Sequence, residues 1–164
     1  MENLKISMIK MENKYKIVLN YIKDLTVEIP NPDALITTRN NISKYLMKID
    51  ITSSPTRNKM IEVITKLSYS DPSNNKKKSY FEMTYATVVN ILDVNIKKKE
   101  LEKLIVCDLQ IKIYPALEKI FLDILHSAGL HDVQFTKKFD FEKLYSERLN
   151  YKKFFFKLFF KNSL

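Results

Sequence analysis

Apolar and polar residues alternate through the first half of the chain, whereas in the second half apolar residues recur at steps of three and four; the change falls near Lys97. Alternation marks strands with one buried face, and the longer period marks helices with one apolar stripe. Tyr15 to Ile29 (YKIVLNYIKDLTVEI) is rich in β-branched and aromatic residues and ends at Pro30-Asn31-Pro32-Asp33, a strong stop signal. Within it Leu25, Val27 and Ile29 fall on one face, with Asp24, Thr26 and Glu28 on the other. Residues 30–45 are polar and predict an irregular crossing segment. Met47 to Thr52 alternates until Ser53-Ser54-Pro55 breaks it, and Ile61 to Ser70 alternates again. Asp71-Pro72-Ser73-Asn74-Asn75 with three lysines makes a turn before a fourth strand, Tyr80 to Ile91. Short polar connections between four consecutive strands predict an antiparallel meander, because parallel neighbours need long crossovers.

From Lys97 onward Leu101, Leu104, Ile105 and Leu109 lie on one helical stripe, as do Leu117, Ile120, Phe121, Ile124, Leu125 and Ala128 after Pro115. Pro115 suits the first turn of a new helix or a kink, and Gly129, the only glycine, suits the position just past a helix end. Asp140 is placed to cap a last helix carrying Phe141, Leu144 and Tyr145. The predicted fold class is α+β: a four-stranded antiparallel sheet with two main helices on one face. It forms one domain over residues 1–150, followed by an extension over 151–164.

Length agrees with one domain, since 164 residues bury enough surface for a single core. The single cysteine, Cys107, excludes a disulfide scaffold and points to a reducing compartment. No apolar run approaches the roughly 20 residues that a membrane helix needs. Met1 to Lys16 is broken by charges, unlike a signal peptide. A soluble cytoplasmic protein is therefore expected. The net charge of +9 invites a nucleic-acid or anionic-membrane partner. However, all the basic residues except Arg39, Arg57 and Arg148 are lysine, which lacks the fork used to read bases. Abundant Lys, Asn, Ile and Phe with a single glycine also match the drift of an AT-rich genome. Residues 151–164 (YKKFFFKLFFKNSL) hold four lysines, no acid and five of the ten phenylalanines. This segment reads as a helix extension packed on the body or another subunit, or as a partner- or membrane-surface element.

Catalytic chemistry is hard to find. The chain has no glycine-rich phosphate loop, GxSxG elbow or HExxH, and one glycine cannot build a phosphate cradle. Cys107 and His126 read as a helix-face thiol and a surface imidazole rather than a nucleophile pair, and with His131 they lack zinc-ligand spacing. Neither an enzyme nor a cofactor is expected.

Tyr21-Ile22-Lys23-Asp24-Leu25-Thr26-Val27-Glu28-Ile29-Pro30-Asn31 resembles the opening strand of the SecB protein-export chaperones. Tyr114-Pro115-Ala116 resembles that family's helix start, Gly129 its helix end, and Phe139-Asp140-Phe141-Glu142-Lys143-Leu144-Tyr145 its closing helix. Lys48-Ile49-Asp50-Ile51, Ile61-Glu62-Val63 and Glu82 sit in the matching strands, so the resemblance spans about residues 15–149 in the right order. It implies a dimer of dimers that binds unfolded precursor polypeptides without ATP and delivers them to the SecA motor, meeting the membrane only through the translocase. No nucleic-acid partner is implied. The implied client groove holds Leu25, Val27, Ile29, Met47, Ile49, Ile51, Met83 and Tyr85, which otherwise read as core. The implied SecA docking surface holds Asp24, Glu28, Tyr80 and Glu82, which otherwise read as a solvated strand face. Unlike typical members, which are acidic with an acidic tail, this chain is basic and ends in lysines and phenylalanines. The alternatives are a SecB-like chaperone dedicated to one partner such as an antitoxin, a basic nucleic-acid-binding protein, and a peripheral membrane protein held by residues 151–164.

Overall fold

The computed structural model describes residues 14–73 and 78–150; the basic-aromatic extension expected over 151–164 lies outside them. The elements are β1 (Tyr15–Glu28), α1 (Pro32–Asn40), β2 (Leu46–Pro55), β3 (Met60–Ser70), β4 (Tyr80–Ile91), α2 (Lys98–Lys103), a π-helical stretch (Leu104–Asp108) and α3 (Leu109–Ser127). Residues 141–150 are also helical. The expected α+β class with a four-stranded antiparallel sheet is what the chain adopts.

Two expectations need correction. The sheet order is β1-β4-β3-β2, so only β2 to β4 form a meander, and β1 pairs with β4 instead of β2. The connection that permits this is not irregular, because residues 32–40 are helix α1. Pro30-Asn31-Pro32-Asp33 stops a strand and starts a helix at once. The Asn31 side chain accepts from the Ala34 N–H at 2.8 Å, Pro32 stands in the first turn and Asp33 favours the helix's positive end. Nine helical residues span about 13 Å, and three strand spacings span about 14 Å, so α1 is long enough to carry the chain from β1 across to β2.

Two bulges break the phase of β1, at Val18 and at Lys23. Because of the second, Ile22 and Leu25 share a face although they are three residues apart: they pair with Tyr85 and Met83 of β4. One sheet face therefore carries Ile22, Leu25, Val27, Phe81, Met83, Leu67, Tyr69, Met47 and Ile49. The other carries Tyr21, Asp24, Thr26, Glu28, Tyr80, Glu82, Lys66 and Lys48.

The chain divides into two compact units. One holds the sheet, α1 and the residues from Ala116 to Gln134. Its core joins the central strands (Val63, Leu67, Phe81, Met83, Val89) to the stripe Leu117, Phe121 and Leu125 of α3. At the end of α3, Gly129 donates to the His126 carbonyl and Leu130 to that of Leu125, both at 3.0 Å. This reciprocal closure needs the left-handed backbone that Gly129 adopts at φ +97. The other unit holds Ile96–Pro115 and the residues from Phe135 on. Tyr114 packs edge-on against Phe139 and Phe141 there, with centroids 5.5 and 5.4 Å away. Asp140 caps the closing helix as expected, its carboxylate accepting from the Lys143 N–H at 3.0 Å. Pro115 lies inside α3, and the two units divide immediately after it.

Candidate functional site

β1 is an edge strand, and its side chains stand out on both faces. On the polar face, direct cross-strand partners bring the four expected docking residues together: Glu28 lies opposite Tyr80 and Thr26 opposite Glu82, with Asp24 two residues along β1. Period-two geometry alone places Asp24 and Glu28 on that face, about 13 Å apart. Register with β4 supplies the rest. The Tyr80 hydroxyl donates to Glu82 Oε2, while Lys66 Nζ lies 3.2 Å from Oε1. Partial burial, followed by the neighbouring Glu82 carboxylate, pushes the Tyr80 hydroxyl up to about 12.

Lys66 was not among the expected site residues. It stands opposite Thr84 on β4 and reaches the carboxylate of Glu82 two residues along, a contact that only the β3–β4 register discloses. A second cluster also went unforeseen. Tyr21 donates to Glu62 Oε1 at 2.6 Å, and Lys23 Nζ approaches both Glu62 oxygens at 3.0 Å. The bulge at Lys23 turns its amine onto this face, over the small Ala86 that pairs with Tyr21. Those hydrogen bonds, Tyr21 first, lower the Glu62 carboxyl below its ordinary value. Among the described residues, Asp24 and Glu28 take part in no ion pair.

On the apolar face the eight expected groove residues do not form one open surface in the single chain. Leu25 and Val27 are 44% and 43% exposed at the β1 margin, next to Ile22. Met47 and Ile49 are half-buried at the β2 margin, as are Tyr85 and, just past β1, Ile29. Met83 is fully buried and Ile51 nearly so, so neither presents a surface. Exposed apolar side chains are thus concentrated on β1, where Val18 and, toward the polar face, Leu19 and Tyr21 are exposed as well.

Cys107 is buried, and burial pushes its thiol up to about 11, far from a nucleophile's range. His126 donates from Nε2 to the Val133 carbonyl at 2.9 Å, tying the end of α3 to the turn that follows. Among the described residues no group of three or more His, Cys, Asp or Glu side chains is placed to hold a metal, and no helix is long and apolar enough to cross a membrane.

A SecB-like chaperone of Mycobacterium tuberculosis, solved with a peptide from the HigA1 antitoxin, superposes with a TM-score of 0.56 at 10% identity, over 83% of this chain and 99% of its own, and so shares the fold. A Pelagibacter ubique (strain HTCC1062) protein named for the protein-export protein SecB is 45% identical over 140 residues, 85% of this chain and all of its own length. The protein-export protein SecB of Rhodospirillum rubrum is 22% identical over 129 residues, 79% of this chain and 78% of its own. Residues 9–152 match the family described as SecB, preprotein translocase subunit, and with a relative at 45% identity along its full length the chain belongs to the SecB family of protein-export chaperones.

Proposed function

We propose that this chaperone works in the cytoplasm as an ATP-independent holdase. It captures unfolded precursor polypeptides on the apolar face of its sheet and hands them to the SecA motor, which docks at Asp24, Glu28, Tyr80 and Glu82. The observation that carries the reading is the split character of β1: exposed Leu25 and Val27 on one face, exposed Asp24 and Glu28 on the other. Clustered exposed apolar side chains are the mark of an interaction surface, and carboxylates on a flat strand face suit a basic partner. The full-length relative named for export supports the same role. Among the described residues no strand pairs with the outer edge of the 14-residue β1, which supports assembly with further copies, toward the dimer of dimers the family resemblance implies.

The test is suppression of aggregation of an unfolded secretory precursor without nucleotide, run beside the protein's mass in solution. Suppression with a mass of four chains supports the proposal; a lone chain that leaves aggregation unchanged removes it. For docking, the Asp24→Asn/Glu28→Gln double variant is expected to weaken SecA binding at low salt, with a difference that fades as salt rises. Unchanged affinity in that variant ends the docking assignment. The antitoxin peptide on the M. tuberculosis chaperone favours a second reading, service to a single dedicated partner. A neighbouring toxin–antitoxin gene pair, together with binding to that antitoxin and to no general precursor, would establish it.

A further inference from the structure

On the polar face of the sheet the three carboxylates of the docking surface are not equivalent. Both oxygens of Glu82 are already engaged, Oε2 by the Tyr80 hydroxyl and Oε1 by the Lys66 amine. Asp24 and Glu28 are exposed, and among the described residues neither has an ion-pair partner. Lys66 itself is only loosely held, its side chain 44% exposed while that of Glu82 is 19% exposed. Such a pair is weak and exchangeable, because water screens it and both side chains lose freedom in making it. A basic segment arriving on this face therefore meets two carboxylates that are free and one that is occupied by a cation of the chain's own.

We propose that Lys66 is a built-in competitor at the docking face: it occupies Glu82, leaves Asp24 and Glu28 to make the first contact, and is displaced only by a partner segment basic enough to take Glu82 from it. The inference rests on the docking reading above and names Lys66 as a specificity-determining residue of that site. The occupant is a lysine- or arginine-rich segment, since the two open charges on the β1 side of Glu82, Asp24 and Glu28, are both carboxylates. Lys66 raises the threshold for docking. A weakly basic chain engages only the β1 pair, whereas a strongly basic one gains the third carboxylate as well. Lys48 on β2 lies on the same face without an ion-pair partner among the described residues, and so serves as a control for simple loss of positive charge.

The experiment measures, at low salt, the dissociation constant of a synthetic lysine-rich peptide. The proteins compared are the full chain and its Lys66→Gln, Glu82→Gln, Lys66→Gln/Glu82→Gln, Lys48→Gln and Asp24→Asn/Glu28→Gln variants, each with a matched melting curve. Lys66→Gln is expected to tighten binding about two- to fivefold, the range an exposed ion pair supports, and more than Lys48→Gln does. Glu82→Gln is expected to change little in the parent chain and to cancel the whole gain in the Lys66→Gln background. Equal effects of Lys66→Gln and Lys48→Gln, or additivity with Glu82→Gln, overturn the competitor role while loss of binding in Asp24→Asn/Glu28→Gln keeps the docking surface. If Asp24→Asn/Glu28→Gln binds as tightly as the parent, the docking reading fails and this inference fails with it.

Discussion

Asp71 closes the base of the β3–β4 turn with its side chain only 2% exposed, paired with Lys78. The Lys78 hydrogen bond, then the Ser73 N–H, holds its carboxyl at about 2, against an ordinary 3.8. Between those two values the unfolded chain binds the proton that the folded chain refuses, so stability rises with pH across that window. The contribution is complete above the unfolded value and is lost as pH falls through the folded one. Urea midpoints should therefore drop between about pH 4 and pH 2 in the parent, and Asp71→Asn should flatten that drop. An unchanged slope would mean that this carboxylate is not tied in solution. Gly129 makes a different demand. Its φ of +97 disfavours any side chain, and an added Cβ would stand 3.1 Å from Leu35 Cδ2. Gly129→Ala should cost about 1–3 kcal/mol, read as a lower melting midpoint.

Elements show how short-range signals are used twice. Helix α1 buries Ala34 and Thr38, one turn apart. Thr38 Oγ1 lies 2.8 Å from the Ala34 carbonyl, 2.9 Å from Ser79 Oγ and 3.1 Å from the Tyr45 hydroxyl, which itself donates to the Ser79 carbonyl. This buried network fastens the crossing helix to the start of β4. Thr38→Val should cost roughly 1–3 kcal/mol, because it strands polar partners away from water. Asn31→Ala, at the exposed cap, should cost about 1 kcal/mol. Denaturant titration separates the two. Strand β1 behaves in the opposite way: Leu25 and Val27 are nearly half exposed, so polar substitutions there disturb little packing. Leu25→Asn/Val27→Asn is expected to weaken capture of an unfolded precursor while moving the melting midpoint little. A large fall in that midpoint would return both residues to the core.

At the scale of the whole molecule, charge and association dominate. Without residues 151–164 the chain retains 24 basic against 19 acidic residues, so four of its excess positive charges belong to the last fourteen positions. A chain ending at Asn150 is expected to keep its melting midpoint and its capture of unfolded precursors. Vesicle pull-down of the full chain against the shortened one reports whether the lysines and phenylalanines add a membrane contact; loss of precursor capture on shortening would instead place the tail in the chaperone's own working surface.

The four strands, the helical stripes, the glycine closure and the Asp140 cap were all legible along the chain, because each depends on neighbours within a few residues: alternation, three- and four-residue steps, a cap three positions ahead. The acidic pair Asp24 and Glu28 was legible for the same reason. The pairing of β1 with β4, the bulge that turns Lys23 onto Glu62, and the Lys66 amine on Glu82 were not. Those depend on which distant strand lies alongside and in what register, a choice made by burying the central strands against the apolar stripe of α3 and by a crossing helix long enough to carry the chain from one edge of the sheet to the other. Between bulges, side-chain pattern settles which residues share a face of a strand, whereas packing settles where the bulges fall and what stands opposite, and the character of the docking face lies in that second choice.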